Sequence, residues 1–460
     1  MRTLITGGLV ITASDELAVD VLIEDEKVVA LGTGQGWTAD TVIDATGKYV
    51  IPGGVDGHTH MEMPFGGTVA ADNFETGTRA AAWGGTTTIV DFAIQSMGAT
   101  LREGLDAWHA KAEGNCAIDY GFHMIMADVN EGSLKEMEGL VGEGVTSFKL
   151  FMAYPGVLYS DDGQVLRALQ KGAETGGLIL MHAENGIAID VLIEQALARG
   201  QTDPRYHGVV RHELLEAEAT HRAIKLAQVA NAPVYIVHLS ATSALAEVAK
   251  ARDEGYNAFA ETCPQYLFLS TDDLARPDFE GAKYVCSTPL RPKEHQAALW
   301  RGLRTDDLSV VSTDHCPFCF KGQKELGLGD FSKIPNGLPS VEHRMDLLHT
   351  GVLEGHISRR RWIEIACATP ARMFGLYPRK GTIAPGADAD VVVYDPAAMQ
   401  TFSAATHHMN VDYSCYEGKE ITGRVRTVLS RGRVVVDDGE YRGSAGHGRF
   451  LRRDTCQYLV

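Results

Sequence analysis

The feature that most limits the fold is a regular alternation of apolar β-like runs and helix-like segments across residues 52–375. Segments such as 186–199 and 213–229 carry apolar residues at spacings of three and four, which is typical of helices. Eight β-like runs stand among these segments, and they end at 55–58, 88–91, 122–125, 146–149, 178–181, 234–237, 258–261 and 309–312. Eight such units over about 320 residues predict an α/β fold, a (β/α)8 TIM barrel with insertions.

The two ends of the chain have a different pattern of apolar and turn residues. Short β-like runs separated by turn residues fill the first fifty residues, and similar runs return at 390–394, 426–429 and 433–436. We therefore predict a barrel over 52–375 and one small sheet domain built from 1–51 plus 376–460. A doubly wound open sheet is the main alternative, but no GxGxxG fingerprint follows any predicted strand.

The composition and charge of the chain limit the kinds of molecule that it is expected to bind. The chain has 42 Lys and Arg against 60 Asp and Glu, a net charge of −18 that repels nucleic acid and anionic membrane surfaces. Residues 1–20 lack the basic and apolar regions of a signal peptide, and no run reaches the roughly 18 apolar residues of a membrane span. Eight scattered cysteines do not form a disulfide framework. We expect a cytoplasmic protein that acts on small molecules.

Polar residues of an unusual kind stand where the predicted strands end, which in a barrel is the active-site face. Two of them are histidines separated by one residue, so that both imidazoles point to the same side of a strand. A single histidine after a strand is usually only hydrogen-bonded, but histidine and carboxylate together are standard zinc ligands. The set favours a metal site; its members are His58, His60, Lys149, His182, His238 and Asp314.

Lys149 is the exception, because a protonated amine has no lone pair to offer a metal. From the residues alone, two interpretations stay open. The lysine is an ordinary side chain, which forms a surface ion pair or extends its charged end toward water, or carbon dioxide carbamylates it to a carboxylate that bridges two ions. Two divalent ions, one aspartate and one hydroxide sum to about +2, which a protonated lysine raises and a carbamate lowers, so charge favours the carbamate.

Taken together, these residues resemble the amidohydrolase superfamily and, within it, the dihydropyrimidinase/D-hydantoinase family. The similarity covers nearly the whole chain. Its motifs are VIPGGVDGHTH (50–60), GGTTTI (84–89), SFKLFMAY (147–154), MHAEN (181–185), DHC (314–316), IPNG (334–337) and KGTI (380–383). The histidine pair alone is moderately specific, whereas the full ordered set of ligands is highly specific.

The resemblance implies a (β/α)8 barrel with a small β-sandwich made from both chain ends, and a centre of two zinc ions. In that pattern His58, His60 and Asp314 hold the more buried ion, and His182 and His238 hold the more exposed one. Carbamylated Lys149 bridges the two ions. The family pattern also implies a homotetramer, in which the tail 442–460 either contacts a neighbouring subunit or is solvated.

The activity implied by the resemblance is hydrolysis of the ring amide of 5,6-dihydropyrimidines and 5-substituted hydantoins to N-carbamoyl amino acids, by a hydroxide that bridges the metals. Tyr154 polarises the substrate carbonyl, and Asp314 transfers protons. Main-chain groups of Ser287 and Asn336 grip the ring, with a family preference for the D configuration. Apolar positions that meet the exocyclic substituent are Met63, Phe65, Phe151 and Leu158.

Other members of the superfamily open related rings. A dihydroorotase pairs a substrate carboxylate with a cation, but no arginine stands beside the histidine pair, and the segment 151–154 (FMAY) favours dihydropyrimidinase. Allantoinase stays open as an alternative. A non-catalytic assembly protein of this fold loses metal ligands, and the complete ligand set here speaks against it. Manganese or cobalt also suits such ligands.

Overall fold

Seven short strands occupy the amino-terminal part of the computed structural model, which describes residues 1–458. They divide between two sheets, and β1, β4, β5 and β6 form one sheet in the order β5-β4-β1-β6. Their apolar residues face a common core, as the sequence pattern predicts. The strands are β1 (Arg2–Thr6), β2 (Leu9–Ile11), β3 (Glu16–Leu17), β4 (Asp20–Glu24), β5 (Lys27–Gly32), β6 (Thr41–Asp44) and β7 (Tyr49–Pro52).

Eight parallel strands then form a nearly closed barrel, which confirms the predicted fold class. Each pairs with the next along the chain, and a single parallel bridge between Thr59 and His315 links the first strand to the loop after the last. A hairpin, β9 (Pro64–Phe65) and β10 (Thr68–Val69), follows the first barrel strand. The barrel strands are β8 (Gly54–Thr59), β11 (Thr86–Ile94), β12 (Asp119–Ile125), β13 (Ser147–Phe151), β14 (Leu178–His182), β15 (Val234–Ile236), β16 (Ala258–Thr262) and β17 (Val310–Val311).

Barrel strands are covered on both faces, by side chains within the barrel and by helices outside. Every residue of β8, β12, β13, β14 and β16 is buried. This burial explains why the strands read as continuous apolar runs and not as alternating patterns. Polar residues within such runs therefore need a partner, and several of them, such as His58, His182 and Glu261, lie toward the carboxyl ends of the strands.

Helices follow the strands, and the first four begin with capping boxes, at Asn73, Thr100, Asn130 and Asp161. The helices predicted over 186–199 and 213–229 are confirmed. The helices are α1 (Phe74–Trp83), α2 (Leu101–Ala112), α3 (Glu131–Gly142), α4 (Asp162–Thr175), α5 (Gly186–Ala198), α6 (Arg205–Val210), α7 (Glu213–Ala230), α8 (Thr242–Asp253), α9 (Pro264–Phe268), α10 (Thr271–Leu274), α11 (Glu294–Thr305), α12 (Arg344–Leu353), α13 (Arg359–Ile363) and α14 (Thr369–Met373).

The second sheet joins the two ends of the chain. Strands β18 (Val391–Thr401), β19 (Glu420–Ser430), β20 (Arg433–Asp437) and β21 (Glu440–Tyr441) combine with early strands in the order β21-β20-β19-β18-β7-β2-β3. The junction is the antiparallel pair β7–β18, which places Tyr49 opposite Tyr394. The additional sheet from both ends is thus confirmed, whereas the domain boundaries at 51/52 and 375/376 stay a prediction.

The tail after β21 packs against the amino-terminal ends of the barrel strands. Leu451 N–H donates to the carbonyl of Tyr120 at 2.7 Å. The buried Arg453 guanidinium donates to the Phe122 carbonyl at 2.6 Å and to Ser147 Oγ at 2.9 Å. The tail therefore closes this face of its own barrel. A contact between the tail and a neighbouring subunit stays a prediction. The last two residues of the tail, 459 and 460, lie outside the described part.

No helix within residues 1–458 combines the length and the apolar character that crossing a bilayer requires.

Candidate active site

The six residues predicted as metal ligands meet at one point, at the carboxyl-terminal face of the barrel. Two lie on β8 or directly after it, one lies on β13, one ends β14, and the others follow β15 and β17. Strand ends at one rim bring together residues that are far apart in sequence. All six are buried; they are His58, His60, Lys149, His182, His238 and Asp314.

The first group forms around the histidine pair. His58 Nε2 and His60 Nε2 lie 3.2 Å apart, and Asp314 Oδ1 lies 3.1 Å from the former and 3.2 Å from the latter. The ligand atoms of these three residues all lie within 4.8 Å of one another. Lys149 Nζ stands 3.0 Å from His58 Nε2, so the lysine adjoins the same point.

The second group is the pair His182 and His238, whose Nδ1 and Nε2 atoms lie 2.9 Å apart. In the described residues, His238 Nδ1 and His60 Nδ1 are buried without any hydrogen-bond partner. Ring nitrogens that face each other share a single proton between two lone pairs, so such a cluster is not satisfied by hydrogen bonding alone. Buried imidazole nitrogens and a carboxylate oxygen are the donor set that fits a divalent ion of the zinc type.

Asp314 and Lys149 both have lowered pKa values, but for different reasons. Burial alone would raise the pKa of Asp314, but the His58 charge and hydrogen bonds from His58 and His60 outweigh it and hold that pKa well below its usual range. Burial lowers the pKa of Lys149 to about 8, against the attraction of Asp314 and Glu261. Asp314 is therefore a carboxylate at neutral pH, and Lys149 loses its proton more easily than an ordinary lysine.

Backbone strain marks the same place. Tyr154, His238 and Asp314 have φ values of 63°, 40° and 51°. Non-glycine residues rarely adopt this left-handed region, and active sites are one of the places where the surroundings fix it. Two members of the predicted metal set and the predicted carbonyl-polarising residue thus share an uncommon backbone geometry.

A small, partly open cavity adjoins the histidines. Six of the seven predicted substrate contacts line it, namely Met63, Phe65, Phe151, Tyr154, Ser287 and Asn336. Leu158 is the exception, because it lies in the wider opening above the cavity. The cavity therefore has an apolar side and a polar side within reach of the histidine cluster.

The polar side of the cavity is built around Tyr154. Asn336 Nδ2 donates to Ser287 Oγ at 3.1 Å. Burial raises the pKa of Tyr154 above its ordinary value, against the opposing charge of Arg211 and polar contacts with Ser287 and Asn336. The tyrosine is therefore a protonated phenol at neutral pH, which can donate a hydrogen bond to an oxygen atom in the cavity.

Sequence reasoning missed Glu261, which lies completely buried behind the histidines. Its carboxylate contacts His58 Nδ1 and Ser312 Oγ, and it accepts from Tyr235 Oη at 2.8 Å and from the His238 N–H at 3.1 Å. A carboxylate at Nδ1 keeps the proton on that nitrogen and leaves the Nε2 lone pair free for the site. The sequence did carry one signal for Glu261, a charged residue at the end of the otherwise apolar run 258–261.

Glu184 was missed as well, although it lies inside the MHAEN motif. It lies 2.8 Å from His182 Nε2 and accepts a hydrogen bond from Arg211 Nη1 at 2.7 Å. Burial would raise its pKa, but the Arg211 charge and the His182 contact lower it to about 2. Arg211 also lies 5.5 Å from the centre of the Tyr154 ring. Glu184 and Arg211 thus connect the second histidine group to the tyrosine.

Comparison with known proteins agrees with this fold. The model of the amidohydrolase family matches residues 49–435. The chain is 79% identical to a D-hydantoinase of Streptomyces coelicolor, with all of this chain and 99% of that protein covered. It is 48% identical to a D-hydantoinase of Geobacillus stearothermophilus, over 98% of this chain and 97% of that one.

Solved structures give the same result. The crystal structure of a dihydropyrimidinase from Brevibacillus agri NCHU1002 matches with a TM-score of 0.98 and 51% identity, and each chain is covered to 99%. A likeness of this extent holds for the chain end to end and not only for its barrel. On both the sequence and the architecture, therefore, this chain belongs to the amidohydrolase family.

Proposed function

We propose that this chain hydrolyses the ring amide of 5-substituted hydantoins and 5,6-dihydropyrimidines, giving N-carbamoyl amino acids. The chain is a cyclic amide hydrolase, as its relatives named D-hydantoinase and dihydropyrimidinase indicate. One observation carries the proposal beyond those names. A buried cluster of four imidazoles, one lysine and one carboxylate adjoins a cavity with a polar wall and an apolar wall.

The metal requirement has a clear place in this chain. The amidohydrolase family is metal-dependent, and the buried group His58, His60 and Asp314 offers three converging ligand atoms. We propose that this group holds one zinc ion and that His182 and His238 hold a second. When bound, the two ions would supply Lewis acidity and lower the pKa of water at the site.

Lys149 is proposed to bridge the two ions as a carbamate. Its side chain is buried, it adjoins His58, and it faces the rings of Phe92 and Phe151, with Nζ 4.4 and 4.9 Å from their centres. In the described residues it forms no ion pair with a carboxylate. An ammonium group there would add positive charge to a site that already attracts cations, whereas a carbamate supplies a negative charge and two oxygen ligands.

We assign ring binding, carbonyl polarisation and proton transfer to four residues of the chain. Main-chain groups of Ser287 and Asn336 would hold the ring, and the Tyr154 hydroxyl would donate to the carbonyl oxygen as negative charge develops on it. The Asp314 carboxylate would take up the proton of the attacking water and return it to the leaving ring nitrogen. An amide nitrogen leaves poorly without that proton, so the second transfer matters as much as the first.

Substrate choice would depend on the apolar wall. Met63, Phe65 and Phe151 line the cavity, and Leu158 lies in its wider opening. The Phe65 and Tyr154 rings meet edge to face at 5.3 Å, which fixes the wall beside the polar groups. We propose that the exocyclic substituent of the ring rests here, with a preference for the D configuration, as the names of the two D-hydantoinase relatives suggest.

Two properties of the whole molecule belong to the same proposal, a homotetrameric assembly and a cytoplasmic location. Light scattering of the purified protein tests the first directly. A mass near that of one 49.8 kDa chain would refute it.

The experiment that tests the function is ring opening of dihydrouracil, of D- and L-5-substituted hydantoins and of allantoin, before and after chelation of metal. We expect turnover that disappears on chelation and returns with added zinc, and that is faster for D than for L substrates. Protein that retains metal but opens none of these rings would refute the proposal. Turnover of allantoin alone would replace the substrate class.

A further inference from the structure

The buried ammonium group of Lys324 lies behind the polar side of the cavity, in contact with the backbone next to Ser287 and Asn336. It is fully buried, and it donates to three main-chain carbonyls, those of Val285 at 2.9 Å, Pro335 at 2.7 Å and Gly337 at 2.9 Å. In the described residues it forms no ion pair with a carboxylate. All three protons of the ammonium group are thus used by backbone, which is an unusual environment for a buried cation.

The three carbonyls belong to the two segments that wall the cavity on its polar side. Val285 lies two residues before Ser287, and Gly337 directly follows Asn336. The segments also contact each other, since Gly337 N–H donates to the Val285 carbonyl at 3.0 Å and Asn336 Nδ2 donates to Ser287 Oγ. Lys324 therefore fixes the distance between the residues proposed to grip the ring.

This arrangement also sets the direction of the peptide groups around Asn336. In a trans peptide the C=O and N–H bonds point in opposite directions. The Pro335 carbonyl points at Lys324, so the N–H of Asn336 points away from it. The Gly337 N–H points at Val285, so the carbonyl of Asn336 points away from Val285. The main-chain N–H and the main-chain carbonyl of Asn336 therefore take no part in the hydrogen bonds that hold the segment.

Ser287 is oriented in the same way from another side. The buried His207 lies with Nε2 2.8 Å from the carbonyl of Cys286, so the N–H of Ser287 points away from His207. The segment also packs closely against Cys316 on its other side, because a Cβ atom on Gly337 would lie 2.1 Å from the Cys316 carbonyl oxygen. The segment thus has no free space on that side, and Lys324 holds it on the other.

We propose that Lys324 is a positioning residue for substrate binding, whose ammonium group fixes the two segments that present peptide groups to the substrate ring. This inference rests on the proposed function, because it assigns Ser287 and Asn336 the task of holding that ring. Lys324 itself touches backbone and takes no part in the chemistry.

The test is the variant Lys324→Met, which keeps the length of the side chain and removes its hydrogen bonds. We expect KM to rise about tenfold, the worth of one or two hydrogen bonds. The rise should be the same for unsubstituted hydantoin and for a D-5-substituted hydantoin, because the two share the ring. We expect kcat and the bound metal per chain to stay near their wild-type values.

Two further variants separate positioning from general damage. Lys333→Met changes an exposed lysine that lies nine residues away in the same loop, at the wider opening, and it should leave KM for unsubstituted hydantoin unchanged. Lys324→Gln restores part of the donor capacity and should give a KM between those of wild type and Lys324→Met.

A folded, metal-loaded Lys324→Met protein with wild-type KM would overturn the inference, also if its Tm were lower. Insolubility of both Lys324 variants would do the same, because it would assign the lysine to folding. In either case wild-type turnover leaves the proposed function intact. A wild-type protein that opens no ring would refute the function and, with it, this inference.

Discussion

The two faces of the barrel each bury a lysine, and the two lysines have opposite surroundings. At the amino-terminal face, Lys380 Nζ lies 2.7 Å from Asp119, 2.9 Å from Asp388 and 2.7 Å from Asp390. Burial would lower its pKa, but these three carboxylates outweigh burial and raise it. At the carboxyl-terminal face, Lys149 faces imidazoles and aromatic rings, and burial lowers its pKa.

The difference shows how the fold separates stability from chemistry. Around Lys380 every charge has a partner, and Arg431 adds a further contact to Asp119 at 3.0 Å. Around Lys149 the polar groups outnumber their partners, as the orphan nitrogens of His60 and His238 show. A saturated network stabilises the folded chain, whereas an unsaturated one leaves lone pairs for a ligand. Each prediction below tests one side of this contrast.

The largest effect is expected from Lys149→Met. Without the lysine no carbamate can form, so turnover should fall to background and the bound metal per chain should decrease. The unfolding temperature of the metal-free protein should not fall, because a buried cation without a carboxylate costs free energy and the substitution removes that cost. Metal analysis and thermal unfolding of metal-free protein check both points. A metal-free variant that unfolds far below wild type would contradict the contrast.

Asp314→Asn should reduce kcat about 10²- to 10⁴-fold, the usual worth of a general acid–base group. The amide has the shape of the carboxylate but cannot carry a proton between water and the ring nitrogen. Because Asp314 is also a proposed ligand, kcat is to be expressed per bound metal. Near wild-type turnover at full metal loading would remove Asp314 from the proton-transfer role.

Lys380→Met should show the reverse behaviour of the lysine at the other face. Three carboxylates would lose their shared partner, and we expect a loss of about 3–5 kcal/mol in the free energy of unfolding. KM and kcat of the folded protein should stay at wild-type values. Denaturant unfolding and steady-state kinetics measure the two quantities. A change in kcat without loss of stability would mean that the two faces are not independent.

The smallest effect is expected from Glu261→Gln, which keeps the shape of the group behind His58. The amide can still accept from His58 Nδ1, but it supplies no negative charge to that imidazole. We expect metal affinity to fall about 10- to 100-fold, as is typical of such outer partners. Competition with a chelator measures it. Unchanged affinity would limit Glu261 to packing.

Local signals made much of this structure predictable from the sequence. The barrel strands are apolar runs because they are buried on both faces, and the histidine pair is visible because residues two apart at the end of a strand share a side. The site set followed from residue types at strand ends. The positions assigned to individual metals and to substrate stay predictions.

The supporting residues could not be found in this way, because their roles depend on contacts between distant segments. Glu261 meets His58 across 203 residues, and Lys324 reaches Val285 across 39. Nothing in the sequence around Lys324 distinguishes it from the exposed Lys333. The three-dimensional path of the backbone decides which lysine meets carbonyl groups and which meets water.

The sheet shared by the two chain ends has a consequence for biosynthesis. Strand β7 ends at Pro52, and its partner β18 begins at Val391, about 340 residues later. At about 5–20 residues per second, the ribosome needs roughly 17–70 seconds to supply that partner. During this interval the edge of β7 is open to pairing with other nascent chains. Weak induction, which lowers the concentration of unfinished chains without slowing elongation, should therefore improve the yield of folded protein.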